Sequence, residues 1–252
     1  MDNPTVLVIA GFDPSGGAGI IADAKTIETI GVQSVFVQSC NTVQSTTAFQ
    51  KCYWTEETVF WEQLEVLLHS FTPKTIKIGV IKSNAFLGTL LGVLKTKLPM
   101  AKIIWDPVVR SSSGFDFHDQ NHFFETTVPM LKMIDLITPN FLEVKHFSAT
   151  HDLNEALTYL SKHCSVYLKG GHRKELGMDE LYQPNKQKKV YYPTYDNCSE
   201  KHGSGCVLSS AIAAYYAFSE DWEESCRLAK LYTEKFLASN NTLLGKHSNK
   251  IK

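Results

Sequence analysis

The chain has 252 residues, 43% of them hydrophobic and 20% charged, with 25 Lys and Arg against 26 Asp and Glu for a formal net charge of −1. That composition buries a sizeable core and excludes disordered and collagen-like classes. It also lacks the basic excess that general nucleic-acid binding needs, so any anionic ligand must be held locally.

The first ten residues start acidic and carry an apolar run too short for a signal or membrane segment, which predicts a cytoplasmic protein with no membrane partner. Residues 5–10 (TVLVIA) form a β-branched run ending in glycine, the pattern of a strand buried on both faces. A glycine-rich loop follows, and then Ile20, Ala24, Ile27 and Ile30 mark one stripe of a helix that Gly31 stops. Strands are predicted at 35–40, 75–78, 102–106, 134–138 and 165–169. Helices are predicted at 55–70, 84–98, from Asn140, and at 153–163, 207–218 and 222–241, with a hairpin over 180–192. This alternation predicts an α/β fold, a mostly parallel sheet with helices on its faces, in one domain spanning 1–252. The six cysteines (Cys40, Cys52, Cys164, Cys198, Cys206, Cys226) show no CxxC or Cys/His ligand spacing, so reduced thiols are expected.

Loops at the carboxyl ends of parallel strands are where such sheets bind ligands, and the informative residues fall there. His202-Gly203-Ser204-Gly205-Cys206 opens a predicted helix. Two glycines let the backbone approach a ligand, and the free N–H groups of a helix start attract an anion such as a phosphoryl group. The bland alternative is a turn that merely leads into the helix. Cys206 at that start is expected to have a lowered pKa and to serve as a base or a polar wall, or else to be a small buried filler.

Asn140 and Glu143 lie one helical turn apart, so they either face Mg²⁺ and its waters or cap their own helix. Residues 11–19 (GFDPSGGAG) match a dinucleotide fingerprint only formally, because Gly17 is too far from the strand end and no acidic residue closes the second strand. The loop lacks the GK[ST] of a phosphate-binding P-loop as well, and is expected to wrap a small substrate. Asp106 and Lys169 end two predicted strands, as a metal and phosphate site would require or as plain surface charges would. Gln44 offers an amide suited to a ring nitrogen and an exocyclic amine, or to capping a loop.

Taken in order, GFDPSGGAGIIADAKT, TVQST, KIGVI, DPVV, ITPNFLEV, LKGGH and HGSGCVLSSAIAA resemble the hydroxymethylpyrimidine and phosphomethylpyrimidine kinases, members of the ribokinase-like superfamily. The resemblance runs from about residue 5 to residue 217. It implies a ribokinase-like three-layer sandwich, a homodimer, ATP as phosphoryl donor and Mg²⁺ as cofactor. It further implies that Gly203, Ser204, Gly205 and Cys206 form the catalytic anion hole, with Cys206 where sugar kinases carry an aspartate. Asp106, Asn140 and Glu143 are implied to organise Mg²⁺, Lys169 and Asn140 to lie at the nucleotide, and Gln44, Gly11, Ala18, Val80 and Val108 to line the pyrimidine pocket.

The chain departs from the family pattern at Ser111 to Gly114, where a lysine is usual, at Lys201 in place of threonine and at Val80 in place of methionine. A pyridoxal or pyridoxine kinase, and a catalytically silent ligand-binding relative, stay open as alternatives. A panel of substrates separates them.

Overall fold

The computed structural model describes residues 4–110, 115–117, 126–145, 147, 152–171 and 177–248. Its first strand, β1 (Thr5–Phe12), is buried through Gly11. Leu7 and Ile9 enter one hydrophobic cluster while Val6, Val8 and Ala10 enter a second, so the period of two places an apolar row on each face. Only a central strand can use both rows.

Around it lie α1 (Gly19–Ile30), β2 (Gln33–Gln44), β3 (Phe49–Trp54), α2 (Glu57–Ser70), β4 (Thr75–Ile78), α3 (Asn84–Lys97) and β5 (Lys102–Trp105). A 3₁₀ turn (Val128–Met133) leads to β6 (Leu136–Ile137), α4 (Phe141–Lys145), α5 (Leu153–Leu160), β7 (Ser165–Leu168), β8 (Asp179–Tyr182) and β9 (Lys189–Tyr191). Two long helices, α6 (Ser204–Ser219) and α7 (Trp222–Leu237), follow. The strands form a nine-stranded sheet in the order β3-β2-β1-β4-β5-β6-β7-β8-β9. From β2 to β7 the pairings are parallel, and β3, β8 and β9 join antiparallel at the two edges.

One cluster packs α2, α3, α4 and α5 against the sheet and the other packs α1, α6 and α7 against its opposite face. This is the expected α/β sandwich. Because β2 lies on one side of β1 and β4 on the other, the chain reverses its direction of winding between β1 and β4. A crevice opens at the carboxyl ends of such a pair.

Several boundaries differ from expectation. β2 runs on to Gln44 and turns back through β3, with the Ser45 N–H donating to the Ala48 carbonyl at 2.7 Å. β3 escapes a search for apolar runs because its exposed and half-buried residues alternate at a sheet edge. α6 starts at Ser204, three residues early, since the glycine turn itself belongs to the helix start. The expected strand over 134–138 contracts to two residues behind the 3₁₀ turn, and α5 and α7 end earlier than predicted. The hairpin over 180–192 is present as β8 and β9.

Candidate functional site

The loop after β1 folds around its own acid. Asp13 is 1% exposed and accepts hydrogen bonds from Ser15 N–H (2.8 Å), Ser15 Oγ (2.8 Å) and Ala18 N–H (2.9 Å). Gly19 closes the loop at φ 57, and a Cβ there would stand 2.1 Å from the Gly11 carbonyl oxygen, so only glycine fits. A fourth contact reaches Asp13 from far along the chain: His202 Nε2 lies 2.9 Å from its Oδ2. Burial pushes the Asp13 carboxyl up, but the bonds from His202, Ser15 and Ala18 outweigh it and hold the group below the usual carboxylate range. An ionised carboxylate at the centre of the loop ties Ser15, Ala18 and His202 together.

His202 brings the second loop into place. The next residue, Gly203, sits at φ 74, and a Cβ there would stand 2.0 Å from the Gly17 carbonyl oxygen. Backbone therefore packs on backbone, and the two glycine loops touch. Ser204, Gly205 and Cys206 form the half-exposed first turn of α6, whose N–H groups have no acceptor within the helix. The missing side chain of Gly205 faces Lys169 Nζ at 3.5 Å and Asp106 Oδ2 at 3.8 Å. An anion seated there would meet N–H groups, the positive end of a helix dipole and an ammonium group.

Cys206 departs from expectation. Burial pushes its thiol up to about 11, and neither the nearby Lys77 ammonium nor the Gly19 N–H brings it back. The helix start does not lower this thiol, because partial burial and the nearby Asp23 and Asp106 carboxylates both disfavour the thiolate.

Opposite the turn stand the charges at the ends of β5, β6 and β7. Asp106, 1% exposed, accepts from Lys169 Nζ at 2.9 Å, Thr138 Oγ1 at 3.1 Å and Ser209 Oγ at 3.3 Å. Burial raises the Asp106 carboxyl, but Lys169 and Lys77 together hold it below its ordinary value. Lys169 also lies 3.8 Å from Glu143 Oε2, and against the cost of burial Asp106 and Glu143 keep its ammonium group above the ordinary lysine value.

Asn140 and Glu143 form a reciprocal capping box. Asn140 Oδ1 accepts from the N–H groups of Leu142 (2.8 Å) and Glu143 (2.9 Å), while Glu143 Oε2 accepts from Asn140 N–H at 2.7 Å. Burial pushes the Glu143 carboxyl up to about 7 despite Lys169.

The residues expected to line a pyrimidine pocket lie at the strand ends around the winding switch. A Cβ on Gly11 would stand 2.7 Å from Cys40 Sγ and 3.5 Å from Val80 Cγ1, and the Val80 carbonyl accepts from Ser39 Oγ at 2.7 Å. Val108 is half-buried two residues beyond Asp106, and its N–H donates back to the Asp106 carbonyl at 2.8 Å. Ala18, at the start of α1, lies under Gly203. Gln44 ends β2, and its side-chain amide makes no hydrogen bond to another described residue. The turn after it is capped by Ser45 Oγ, which accepts from Thr47 and Ala48 N–H groups.

Lys201 points away from these residues. It is 3% exposed, and its ammonium donates to Ser199 Oγ and, at 2.6 Å, to the Asn240 carbonyl, beside the carboxyl end of α7. His172 and Ser111 to Gly114 lie outside the described residues.

Sequence reasoning gave no role to Asp13, Asp23 or Lys77, and named His202 only as the residue that opens the glycine turn. Asp13 and His202 are 189 residues apart, and only the recurrence of glycine around both hinted at a shared role.

A helix start beside a lysine and an aspartate, on a mostly parallel sheet flanked by helices, is the arrangement of an α/β protein able to hold a phosphoryl group. The family model for phosphomethylpyrimidine kinase matches residues 13–252, and the chain belongs to that family. It is 31% identical over 248 residues to the hydroxymethylpyrimidine/phosphomethylpyrimidine kinase of Aquifex aeolicus (strain VF5), covering 95% of this chain and 96% of the relative. A solved phosphomethylpyrimidine kinase from Clostridium difficile 630 superposes with TM-score 0.75 at 28% identity, over 92% of this chain and 98% of that one. The pyridoxal kinase from Staphylococcus aureus in complex with pyridoxal gives TM-score 0.81 at 22% identity, over 97% and 92% of the two chains, a likeness of fold. No helix among the described residues is long and apolar enough to cross a membrane.

Proposed function

We propose that the chain transfers the γ-phosphoryl group of ATP to the hydroxymethyl group of 4-amino-5-hydroxymethyl-2-methylpyrimidine, and then a second phosphoryl group to the resulting monophosphate. The observation that carries this reading is the first turn of α6, held open beside Lys169 and Asp106 at the one residue, Gly205, that lacks a side chain to fill the space. Family membership supplies the reaction class. The Gly203 to Cys206 turn is assigned as the anion hole for the transferring group, with Lys169 beside the nucleotide phosphates. Gln44, whose amide has donors and an acceptor to spare, reads the ring in a pocket lined by Gly11, Ala18, Val80 and Val108.

Cys206 is assigned as a polar wall that orients the hydroxyl. A thiol pushed up to about 11 is a poor base at neutral pH, and a loose phosphoryl-transfer transition state asks for positioning and charge neutralisation more than for early proton removal.

Mg²⁺ fits this donor set as an ion that arrives on the phosphates. Asp106 and Glu143 are the carboxylates beside Lys169, and both lone pairs of Asn140 Oδ1 are already taken by N–H groups. No group of three or more ligating His, Cys, Asp or Glu side chains stands among the described residues. Mg²⁺ characteristically keeps several waters and takes one or two carboxylates plus phosphates, so Asp106 and Glu143 would hold it and Asn140 would hold Glu143. Once bound, it would neutralise charge on the phosphate oxygens.

We assign the chain to a single domain, acting in the cytoplasm as a homodimer. Steady-state rates with hydroxymethylpyrimidine, its monophosphate and pyridoxal, measured side by side, test the reading. ATP consumption should depend on either pyrimidine, with pyridoxal the poorest of the three. A chain that prefers pyridoxal, or that consumes ATP with none of them, is not the enzyme described here.

A further inference from the structure

Among the described residues, Phe49, Phe115 and Phe117 cluster beyond the ends of β2 and β5, outside either core cluster. Phe49 stacks on Phe115 with ring centroids 4.3 Å apart and planes at 25°, and meets Phe117 edge-on at 5.2 Å. Phe115 and Phe117 close the triangle edge-on at 5.4 Å. All three are half-buried. A cluster of aromatic rings offers a flat apolar face on which another ring can stack.

Their placement ties them to residues of the proposed ring pocket on two sides. After the register shift between Val43 and Gln44, Gln44 pairs directly with Phe49 across the β2–β3 hairpin. Directly opposed residues of an antiparallel pair project to the same face and lie in contact range, so the amide and the phenyl ring share one side of the hairpin. On the other side, Phe117 N–H donates to the Val109 carbonyl at 2.8 Å, one residue beyond Val108. The paired Arg110 and Asp116 reinforce this return with two bonds of 2.6 and 2.9 Å. Thr42 Oγ1 donates to the Phe12 carbonyl at 2.9 Å and holds the projecting hairpin beside the first loop. The aromatic triangle therefore bridges the strand end bearing Gln44 and the segment bearing Val108.

We propose that Phe49 and Phe115, braced by Phe117, form an aromatic wall against which the flat ring of the substrate stacks, and that this wall determines which ring the enzyme accepts. Gln44 reads the ring edge and the phenyl rings bear on its face. The proposal rests on the pyrimidine-kinase reading above. It assigns the wall to the acceptor alone, since ATP phosphates lie toward Lys169.

The test compares Phe49→Ala and Phe115→Ala with the unaltered chain, using hydroxymethylpyrimidine, pyridoxal and ATP as varied substrates. Loss of a stacking face should raise KM for the pyrimidine about tenfold, leave kcat within about threefold, and leave KM for ATP unchanged. The ratio of kcat/KM for pyrimidine over pyridoxal should fall. Phe49→Leu and Phe115→Leu keep apolar volume without an aromatic face, so they cover the case in which an alanine variant fails to fold. They should retain the melting temperature while still raising the pyrimidine KM. Leucine variants with unchanged KM and an unchanged preference would mean that the triangle only staples the hairpin, and would overturn the wall. An unaltered chain that turns over no pyrimidine overturns the parent reading instead, and the wall with it.

Discussion

Gly205 and Gly203 are glycines for different reasons, and substitution should separate them. Gly203 occupies the left-handed region against the Gly17 backbone, so a side chain there must move two loops. Gly205 is absent from the positive-φ residues, and an added Cβ would meet Lys169 and Asp106 at ordinary contact distance. Gly205→Val should therefore fold, yet place methyl groups where the anion belongs. The expected outcome is a melting temperature close to that of the unaltered chain with kcat lower by about 10²–10³, the usual consequence of spoiling an oxyanion-type hole. Gly203→Ala should lose melting temperature as well. A Gly205→Val chain of undiminished kcat would remove the anion-hole assignment. Cys206 gives a second readout at this scale. With its thiol pushed up to about 11, iodoacetamide labelling of this residue should stay slow at neutral pH and accelerate only in strongly alkaline buffer. Cys206→Ser should keep most of the activity, since a hydroxyl can also orient the acceptor.

The capping box joins an element's stability to the chemistry of its neighbours. Glu143 anchors the Asn140 backbone while its carboxyl, pushed by burial up to about 7, stands next to Lys169. If the ionised form serves the metal and phosphate region, kcat/KM for MgATP should fall as pH drops through about 7, and Glu143→Gln should abolish that acid limb along with most of the rate. The sign for stability is opposite. A folded-state pKa above the unfolded value of 4.5 means that the native chain binds the proton more tightly, so this contribution is full below pH 4.5 and is lost as pH rises through about 7. Denaturant titrations should show Glu143→Gln gaining relative to the unaltered chain at pH 8 compared with pH 5. Elements of this kind were open to inspection in the sequence: the Asn140 to Glu143 spacing allows a capping box as one of two readings, the run over 5–10 gives a buried strand, and the glycines around 203 a turn into a helix. What stayed hidden depends on partners distant in the chain. β3 has no apolar run because it is an edge strand beyond the core. His202 reads as one more polar residue until folding sets it 2.9 Å from Asp13.

At the scale of the molecule, the two glycine loops keep their relation because the helices behind them are tied to one strand. Lys77 of β4 and Asp23 of α1 are both fully buried, with Lys77 Nζ 3.0 and 2.8 Å from the two carboxylate oxygens, and Ser210 Oγ of α6 donates to the same carboxylate at 2.6 Å. Burial pulls the Lys77 ammonium down, but Asp23 and Asp106 hold it above its ordinary value, so it stays charged. A charge pair in the dry interior gains little net stability, because desolvation offsets its attraction, whereas removing one partner strands the other. Lys77→Met should accordingly cost about 3–5 kcal/mol in denaturant unfolding, and Lys77→Met combined with Asp23→Leu should recover most of that loss. Activity should not follow stability. Lys77 is one of the charges that keep Asp106 ionised, and Ser210 loses its acceptor when Asp23 is gone, so the double variant should keep its fold while its kcat stays depressed. A double variant with full kcat would show that this pair serves the fold alone, and that α6 finds its register over the crevice by apolar packing without it.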